Sequence, residues 1–164
     1  MSAISFACPE CKESLVSVTP SVLYCPVHDV SYHNRNGIWQ FLPHAQQMRF
    51  SEFVNDYEKI RRAEGRGSND PHWYRQLPYD RTSAFQKDWR IRARSYETLI
   101  KNVIMPAELS TPELNILDLG AGNGWLSNRL AERGHNVVAV DLLVNADDGL
   151  GAHHHYAAEF VPGQ

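Results

Sequence analysis

The feature that most constrains the fold of this chain is a short apolar run, acidic near its end, that leads into alternating glycines. The run covers residues 115–119, and Gly120, Gly122 and Gly124 follow at every second position. A helical pattern then spans residues 126–133. Glycines permit a tight turn with positive φ and let backbone N–H groups approach a ligand at the positively polarised end of the next helix. The stretch therefore predicts a strand, a loop and a helix that bind a polar cofactor.

The next segment and the glycine spacing narrow the choice of cofactor. Residues 136–140 form a second apolar run that predicts a strand, and it closes on Asp141. An acidic residue at the carboxyl end of a second parallel strand can accept hydrogen bonds from both hydroxyls of a ribose. A dinucleotide fingerprint needs a glycine three residues after Gly122, where this chain has Trp125. The glycines instead alternate after Asp118.

The pattern Asp118-x-Gly120-x-Gly122-x-Gly124 resembles motif I of the class I S-adenosylmethionine-dependent methyltransferases. The resemblance implies an α/β fold with a Rossmann-like βαβ unit, S-adenosyl-L-methionine as cofactor, and methyl transfer to an unidentified acceptor. It implies that Asp118 lies near the methionine end of the cofactor and that Asp141 binds its ribose. The residues expected to bind the cofactor are Asp118, Gly120, Ala121, Gly122, Asn123, Gly124, Asp141 and Leu142. No catalytic residue is identified.

Two other interpretations of this stretch stay open. Asp141 alone would suit a nicotinamide cofactor equally well, so an NAD-dependent oxidoreductase is one alternative. The other is an ordinary βαβ unit in which the glycines serve only as turn residues.

The first forty residues contain two short pairs of metal-ligating side chains. Cys8 and Cys11 form one pair, and Cys25 and His28 form the other. Two such pairs are typical of closed tetrahedral zinc, and three cysteines cannot all form disulfides within one chain. We therefore expect a structural Zn²⁺ ion held by these four residues, with His33 as a fallback ligand. A metal-free or redox-active cysteine pair is the alternative.

This segment also resembles the small zinc-ribbon activator proteins of tRNA and rRNA methyltransferases. The matching residues are Cys8, Pro9, Cys11, Cys25, Pro26, Tyr32, Gly37 and Ile38. His28 stands where a fourth cysteine is usual and Asn36 where aspartate is common, and histidine also ligates zinc well. The resemblance covers residues 5–42 and suggests RNA as the methyl acceptor, with a small molecule or a protein also open.

The middle of the chain predicts two helices. One begins at Gln46, and the second spans residues 84–104 and is ended by Pro106. The methyltransferase resemblance implies that they cover the cofactor loop, with an arginine or an aromatic side chain reaching the cofactor. The alternative is a solvated arginine face on packed helices. The candidates for contact with the cofactor are Tyr57, Arg61, Arg62 and Arg92.

Composition and charge limit the partners of the chain. No apolar run approaches the roughly 20 residues that span a membrane, and residues 1–9 lack a hydrophobic signal core. We therefore expect a cytoplasmic protein without a membrane partner. Residues 45–101 carry twelve basic and eight acidic side chains, a charge of +4, within a chain of net charge −3. This is a weak signal for a nucleic-acid partner.

These patterns divide the chain into a zinc-ribbon-like domain at 1–44, a helical lid or linker at 45–110, and the N-terminal part of a Rossmann-like methyltransferase domain at 111–164. Only forty residues follow Gly124, which predicts two parallel strands with unpaired edges and a tail. We therefore expect a truncated chain with half a cofactor site, or one completed by another copy or a second chain. The alternative function is a non-catalytic zinc-ribbon interaction module.

Overall fold

The computed structural model describes residues 4–164, so the first three residues of the predicted 1–44 domain lie outside the described part. The strands are β1 (Val16–Thr19), β2 (Val22–Cys25), β3 (Val30–Arg35), β4 (Ile38–Gln40), β5 (Asn115–Leu119), β6 (Asn136–Val140) and β7 (Val161–Gly163). The helices are α1 (His44–Ala63), α2 (Pro71–Gln76), α3 (Gln86–Leu99), a π-helix (Ile100–Ile104), α4 (Met105–Glu108), α5 (Trp125–Glu132) and a 3₁₀ helix (Leu150–His155).

One mixed sheet runs through this α/β chain and joins an antiparallel half to a parallel half. Its strand order is β1-β2-β3-β4-β7-β6-β5. Neighbours from β1 to β4 are antiparallel, whereas β4, β7, β6 and β5 run parallel. The halves meet where Trp39 pairs with Gly163. The sheet thus joins strands of the predicted 1–44 and 111–164 segments, with the helical segment 45–110 between them in the chain, and the division into three domains stays a prediction.

The parallel half is larger than the sequence predicted. Two parallel strands and a tail were expected, whereas β7 is a third parallel strand between β6 and β4. The tail prediction is wrong because β7 is only three residues long and contains Pro162 and Gly163, types that are depleted in strands. In the described part of the chain, β5 pairs only with β6 and keeps a free edge.

The second helical region continues beyond Pro106, contrary to the prediction. α3 begins at Gln86 and is followed without a break by the π-helix and α4. Pro106 is tolerated because the preceding turn is widened, with the N–H of Met105 donating to the carbonyl of Ile100, and because proline suits the first turn of α4. Among the helices formed within residues 4–164, none carries the apolar stretch that a bilayer crossing requires.

A buried cluster joins the two halves of the sheet beneath residues 120–124, here called the glycine loop. Ile38 of β4 is only 3% exposed and packs with Ala121 of the glycine loop. Ala139 of β6 and Leu150 of the 3₁₀ helix complete the cluster. Strand β4 belongs to the antiparallel strands β1–β4, here called the ribbon, and is therefore part of the support on which the glycine loop rests.

Candidate functional site

A cavity of about 840 Å³ opens beside the carboxyl ends of β5 and β6. Its volume lies within the roughly 300–1,000 Å³ that is usual for small-molecule sites. The strand ends and the glycine loop form one part of its wall, and side chains of α1 and α3 form another. Seven of the eight residues predicted to bind a cofactor line it: Asp118, Gly120, Ala121, Gly122, Asn123, Asp141 and Leu142.

Gly120 and Gly122 give the glycine loop its shape. Their φ angles are +77° and +57°, in the region that side chains disfavour. The N–H groups of Gly120 and Ala121 both donate to the carbonyl of Val140, at 2.8 and 3.1 Å. The N–H of Gly122 donates to the carboxylate of Asp141 at 2.8 Å. Since these three donors are already engaged, the loop contributes open space to a ligand more than free N–H groups.

Gly124 differs from the other two glycines because it does not line the cavity. It precedes α5 with φ of +79°. A Cβ atom at this position would lie 2.8 Å from Cζ of Phe160 and 3.7 Å from Tyr156. The absent side chain therefore allows two aromatic rings to pack directly against the start of α5.

Two carboxylates line the cavity from the strand ends. Asp141 accepts the N–H of Gly122 on one oxygen and the N–H of Leu143 on the other, each at 2.8 Å. These bonds fix its orientation, and each oxygen keeps a lone pair for a ligand hydroxyl. Asp118 accepts a hydrogen bond from the Ser127 hydroxyl at 2.7 Å. Burial raises the pKa of Asp118, although the Ser127 bond acts in the opposite direction.

The helical wall includes three of the four side chains that were candidates for cofactor contact. Tyr57 and Arg61 reach the cavity from α1, and Arg92 reaches it from α3. The Arg61 guanidinium lies 5.5 Å from the centroid of the Tyr57 ring and forms an ion pair with Asp148. Arg62 is not in this wall and lines a separate, smaller cavity.

Sequence reasoning did not identify the rest of the lining. The missed residues are Leu42, Phe53, Leu119, Trp125, Leu126, Val140, Leu143, Asp148 and Gln164. One signal was available: Phe53 lies on the apolar stripe of the first helix, and its ring stacks with Tyr57 at a centroid distance of 5.8 Å. Asp148 lies in a loop, and Gln164 follows a three-residue strand. Neither place has a periodic pattern, so only the tertiary fold brings these residues to the cavity.

The four predicted zinc ligands lie together. Their ligand atoms are all within 4.8 Å of one another, with Cys11 Sγ 3.6 Å from Cys25 Sγ. His28 Nδ1 lies 3.7 Å from Cys8 Sγ and 3.8 Å from Cys25 Sγ. In a tetrahedral site with Zn–S bonds of about 2.3 Å, two sulfurs lie about 3.8 Å apart. The predicted grouping is confirmed and its spacing is compatible with Zn²⁺, whereas His33 lies outside it.

The surroundings of the cluster favour the metal-binding form of Cys8, whereas hydrogen bonds with Cys25 and Cys8 raise the pKa of His28. The Tyr32 hydroxyl lies 3.4 Å from Cys8 Sγ, and this hydrogen bond, together with those from the backbone of Cys11 and Glu10, lowers the pKa of Cys8 to about 5 in spite of burial. The thiolate is the form that binds a metal. Glu10 lies 3.5 Å from Nε2 of His28, the ring nitrogen that does not face the thiols. Such an outer carboxylate orients a ligating histidine.

The three consecutive histidines take structural roles instead of forming a second metal group. His153 Nε2 lies 3.0 Å from the carbonyl of Asn36, and the His155 ring stacks on Tyr74 at 4.4 Å. Within residues 4–164, the Cys8, Cys11, Cys25 and His28 group is the one set of three or more such side chains close enough to hold a metal ion.

No family model and no curated protein matches the chain. The cavity and the cysteine cluster are therefore interpreted from their own geometry. The cavity combines three carboxylates, Asp118, Asp141 and Asp148, with two guanidinium groups, Arg61 and Arg92, beside aromatic and aliphatic side chains. Such a wall suits a polar ligand that carries hydroxyls, a positive charge and an acidic group together with an apolar part.

Proposed function

We propose that this chain binds S-adenosyl-L-methionine in the cavity and forms the cofactor-binding part of a methyltransferase. The observation that carries the proposal is the convergence of Asp118, the glycine loop and Asp141 on one cavity beside two parallel strands. Ligands of open parallel sheets bind outside the carboxyl ends of the strands. The β5-α5-β6 unit would then be a Rossmann-like half-site, as the motif I resemblance implies.

The residues of the chain would divide the binding among them. Asp141, already oriented by two backbone N–H groups, would accept the ribose hydroxyls with its remaining lone pairs. Asp118 would lie beside the methionine part, and Gly120 and Gly122 would leave room for it. The cofactor supplies the methyl group. The chain's contribution is to hold the ligand in one orientation, since alignment with the acceptor lowers the barrier for such transfers.

We further propose that Cys8, Cys11, Cys25 and His28 hold a structural Zn²⁺ ion. Four protein ligands leave no open coordination position, so a folding role is favoured over a catalytic one. The buried core of the ribbon is small, consisting of Cys8, Leu23, Cys25 and Tyr32. A metal would supply folding free energy that so small a core lacks.

The free edge of β5 favours a second candidate, a non-catalytic interaction module. Leu117 and Leu119 on this strand are 63% and 77% exposed, and an unpaired edge can accept a strand from another copy or a second chain. Under either candidate we place the protein in the cytoplasm, and the methyl acceptor stays open among RNA, a small molecule and a protein.

Calorimetric titration of the purified chain tests the first proposal. S-adenosylhomocysteine is the main ligand, and NADH is the control because Asp141 alone would suit a nicotinamide cofactor. We expect binding of the homocysteine compound and none of NADH. Binding of NADH alone would instead support an oxidoreductase. If neither ligand binds, the interaction-module candidate takes precedence.

A further inference from the structure

Three arginines lie near one another beside the cavity, and two of them have carboxylate partners. Arg61 forms an ion pair with Asp148, and Arg66 contacts Asp88 at 3.3 Å. Within residues 4–164, Arg92 forms neither an ion pair nor a hydrogen bond, although it lies within electrostatic range of Arg61 and Arg66. Arg92 is therefore the guanidinium of this group without a carboxylate in direct contact, since Asp148 and Asp88 act on it only from a distance.

The surroundings of Arg92 make an anion favourable there. Its guanidinium lies 4.5 Å from the centroid of the Trp89 ring and is half-buried. Burial lowers the pKa of Arg92 and the charges of Arg61 and Arg66 lower it further, although the nearby charges of Asp148 and Asp88 act in the opposite direction. A guanidinium stays protonated at neutral pH in spite of this, so the positive charge persists in a site that disfavours it. An anionic group entering through the cavity would offset that cost with charge-assisted hydrogen bonds.

The other charges of the cavity indicate what kind of anion this is. Asp118 and Asp141 line the same cavity, so a ligand that carried only negative charge would be repelled by them. A zwitterion avoids this conflict, because its positive group can lie near the carboxylates while its carboxylate meets a guanidinium. The amino-acid part of S-adenosylmethionine has this distribution of charge.

We propose that Arg92 binds the carboxylate of the amino-acid part of the cofactor, an inference that rests on the proposed function. Arg92 is thereby the residue that selects amino-acid nucleosides over nucleosides without the carboxylate. Arg61 is less suited to this role because Asp148 already neutralises it. Arg62 does not line the cavity.

Two ligands that differ in this one group test the inference. They are S-adenosylmethionine and its decarboxylated form, which keeps the sulfonium, the amine and the nucleoside. Calorimetry gives the dissociation constant of each for the unaltered protein, Arg92→Gln, Arg92→Lys and Arg90→Gln. Arg90 is exposed on the same helix and lies outside the cavity, so it is the matched control.

We expect Arg92→Gln to weaken binding of S-adenosylmethionine on the order of 10- to 100-fold, as loss of a charge-assisted contact does. The affinity of Arg92→Lys should lie between those of Arg92→Gln and the unaltered protein. The affinity of Arg92→Gln for the decarboxylated ligand should change less than about threefold, and Arg90→Gln should leave the affinities for both ligands unchanged. Retained binding of the decarboxylated ligand also shows that Arg92→Gln is folded. Equal weakening of both ligands, or of neither, overturns the role of Arg92 while leaving the proposed function standing. Failure of both ligands to bind the unaltered protein overturns both proposals.

Discussion

Gln164 and Trp39 join the cysteine-rich ribbon to the cavity wall. The N–H of Gln164 donates to the carbonyl of Trp39 at 2.7 Å, and its carbonyl accepts the N–H of Phe41 at 2.7 Å. The Gln164 side chain in turn donates to the carbonyl of Leu142 at 2.9 Å. Gln164 and Leu142 both line the cavity. The ribbon and the cavity are therefore parts of one folded unit, and a change in one is expected to affect the other.

The first prediction concerns the cysteine cluster of Cys8, Cys11, Cys25 and His28. Cys11→Ser removes one of four ligands, so protein purified without chelator should hold less than about half an equivalent of zinc, against about one for the unaltered chain. His33→Ala is the control, since His33 is exposed and lies outside the cluster. Metal analysis by mass spectrometry measures both. Full zinc in Cys11→Ser, or its loss in His33→Ala, would count against the assigned ligands.

Ile38 tests the coupling between the ribbon and the glycine loop. Ile38 is buried in the same cluster as Ala121, so Ile38→Ala should lower the free energy of unfolding by about 2–5 kcal/mol and weaken S-adenosylhomocysteine binding. Val18→Ala, on the exposed strand β1, should change stability by less than about 0.5 kcal/mol and leave binding unchanged. Urea unfolding and calorimetry measure the two effects. A stability loss without any change in affinity would separate the ribbon from the cavity.

The parts predicted correctly from the sequence are those with a strong local pattern. The apolar runs before Gly120 and Asp141 form β5 and β6, and the four residues that the cysteine spacing predicted as metal ligands lie together. Positions set by distant contacts had no such pattern. The packing role of Gly124 depends on Phe160, which is 36 residues later in the chain. Gln164 reaches the cavity only because β7 pairs between β6 and β4.

Gly124 provides a prediction about packing. Gly124→Ala must accept a φ of +79° and a contact of 2.8 Å with Phe160, so we expect a loss of about 2–5 kcal/mol in the free energy of unfolding. Gly134→Ala is the matched control, because Gly134 has φ of +92° but no atom within 4 Å of the added Cβ. It should lose only about 1–2 kcal/mol. Equal losses in the two variants would show that Phe160 does not restrict this position.

The buried carboxyl of Asp118 predicts a pH dependence of stability. Its folded pKa is raised, so the folded chain binds more protons than the unfolded chain at acidic pH, and ionising this group lowers stability as pH rises through the folded pKa. Asp118→Asn removes this effect and can still accept the Ser127 hydrogen bond. The stability of Asp118→Asn relative to the unaltered chain should therefore be greater at pH 7 than at pH 4.

Urea unfolding at the two pH values measures this difference, and Glu159→Gln serves as the control. Glu159 is exposed and lies outside the cavity, so this variant controls for the removal of one negative charge from the chain. If the stability of Asp118→Asn relative to the unaltered chain were instead greater at pH 4 than at pH 7, the Asp118 carboxylate would be stabilised in the fold.

Calorimetry with Asp141→Asn tests the proposal that the cavity binds the cofactor. Asp141 would hold the ribose hydroxyls through charge-assisted hydrogen bonds. We expect Asp141→Asn to weaken binding of S-adenosylhomocysteine about 10- to 100-fold, while Glu159→Gln binds it as the unaltered chain does. Unchanged affinity in Asp141→Asn would show that the ligand is not held in this cavity through its ribose, because a ligand bound in that way must lose this contact.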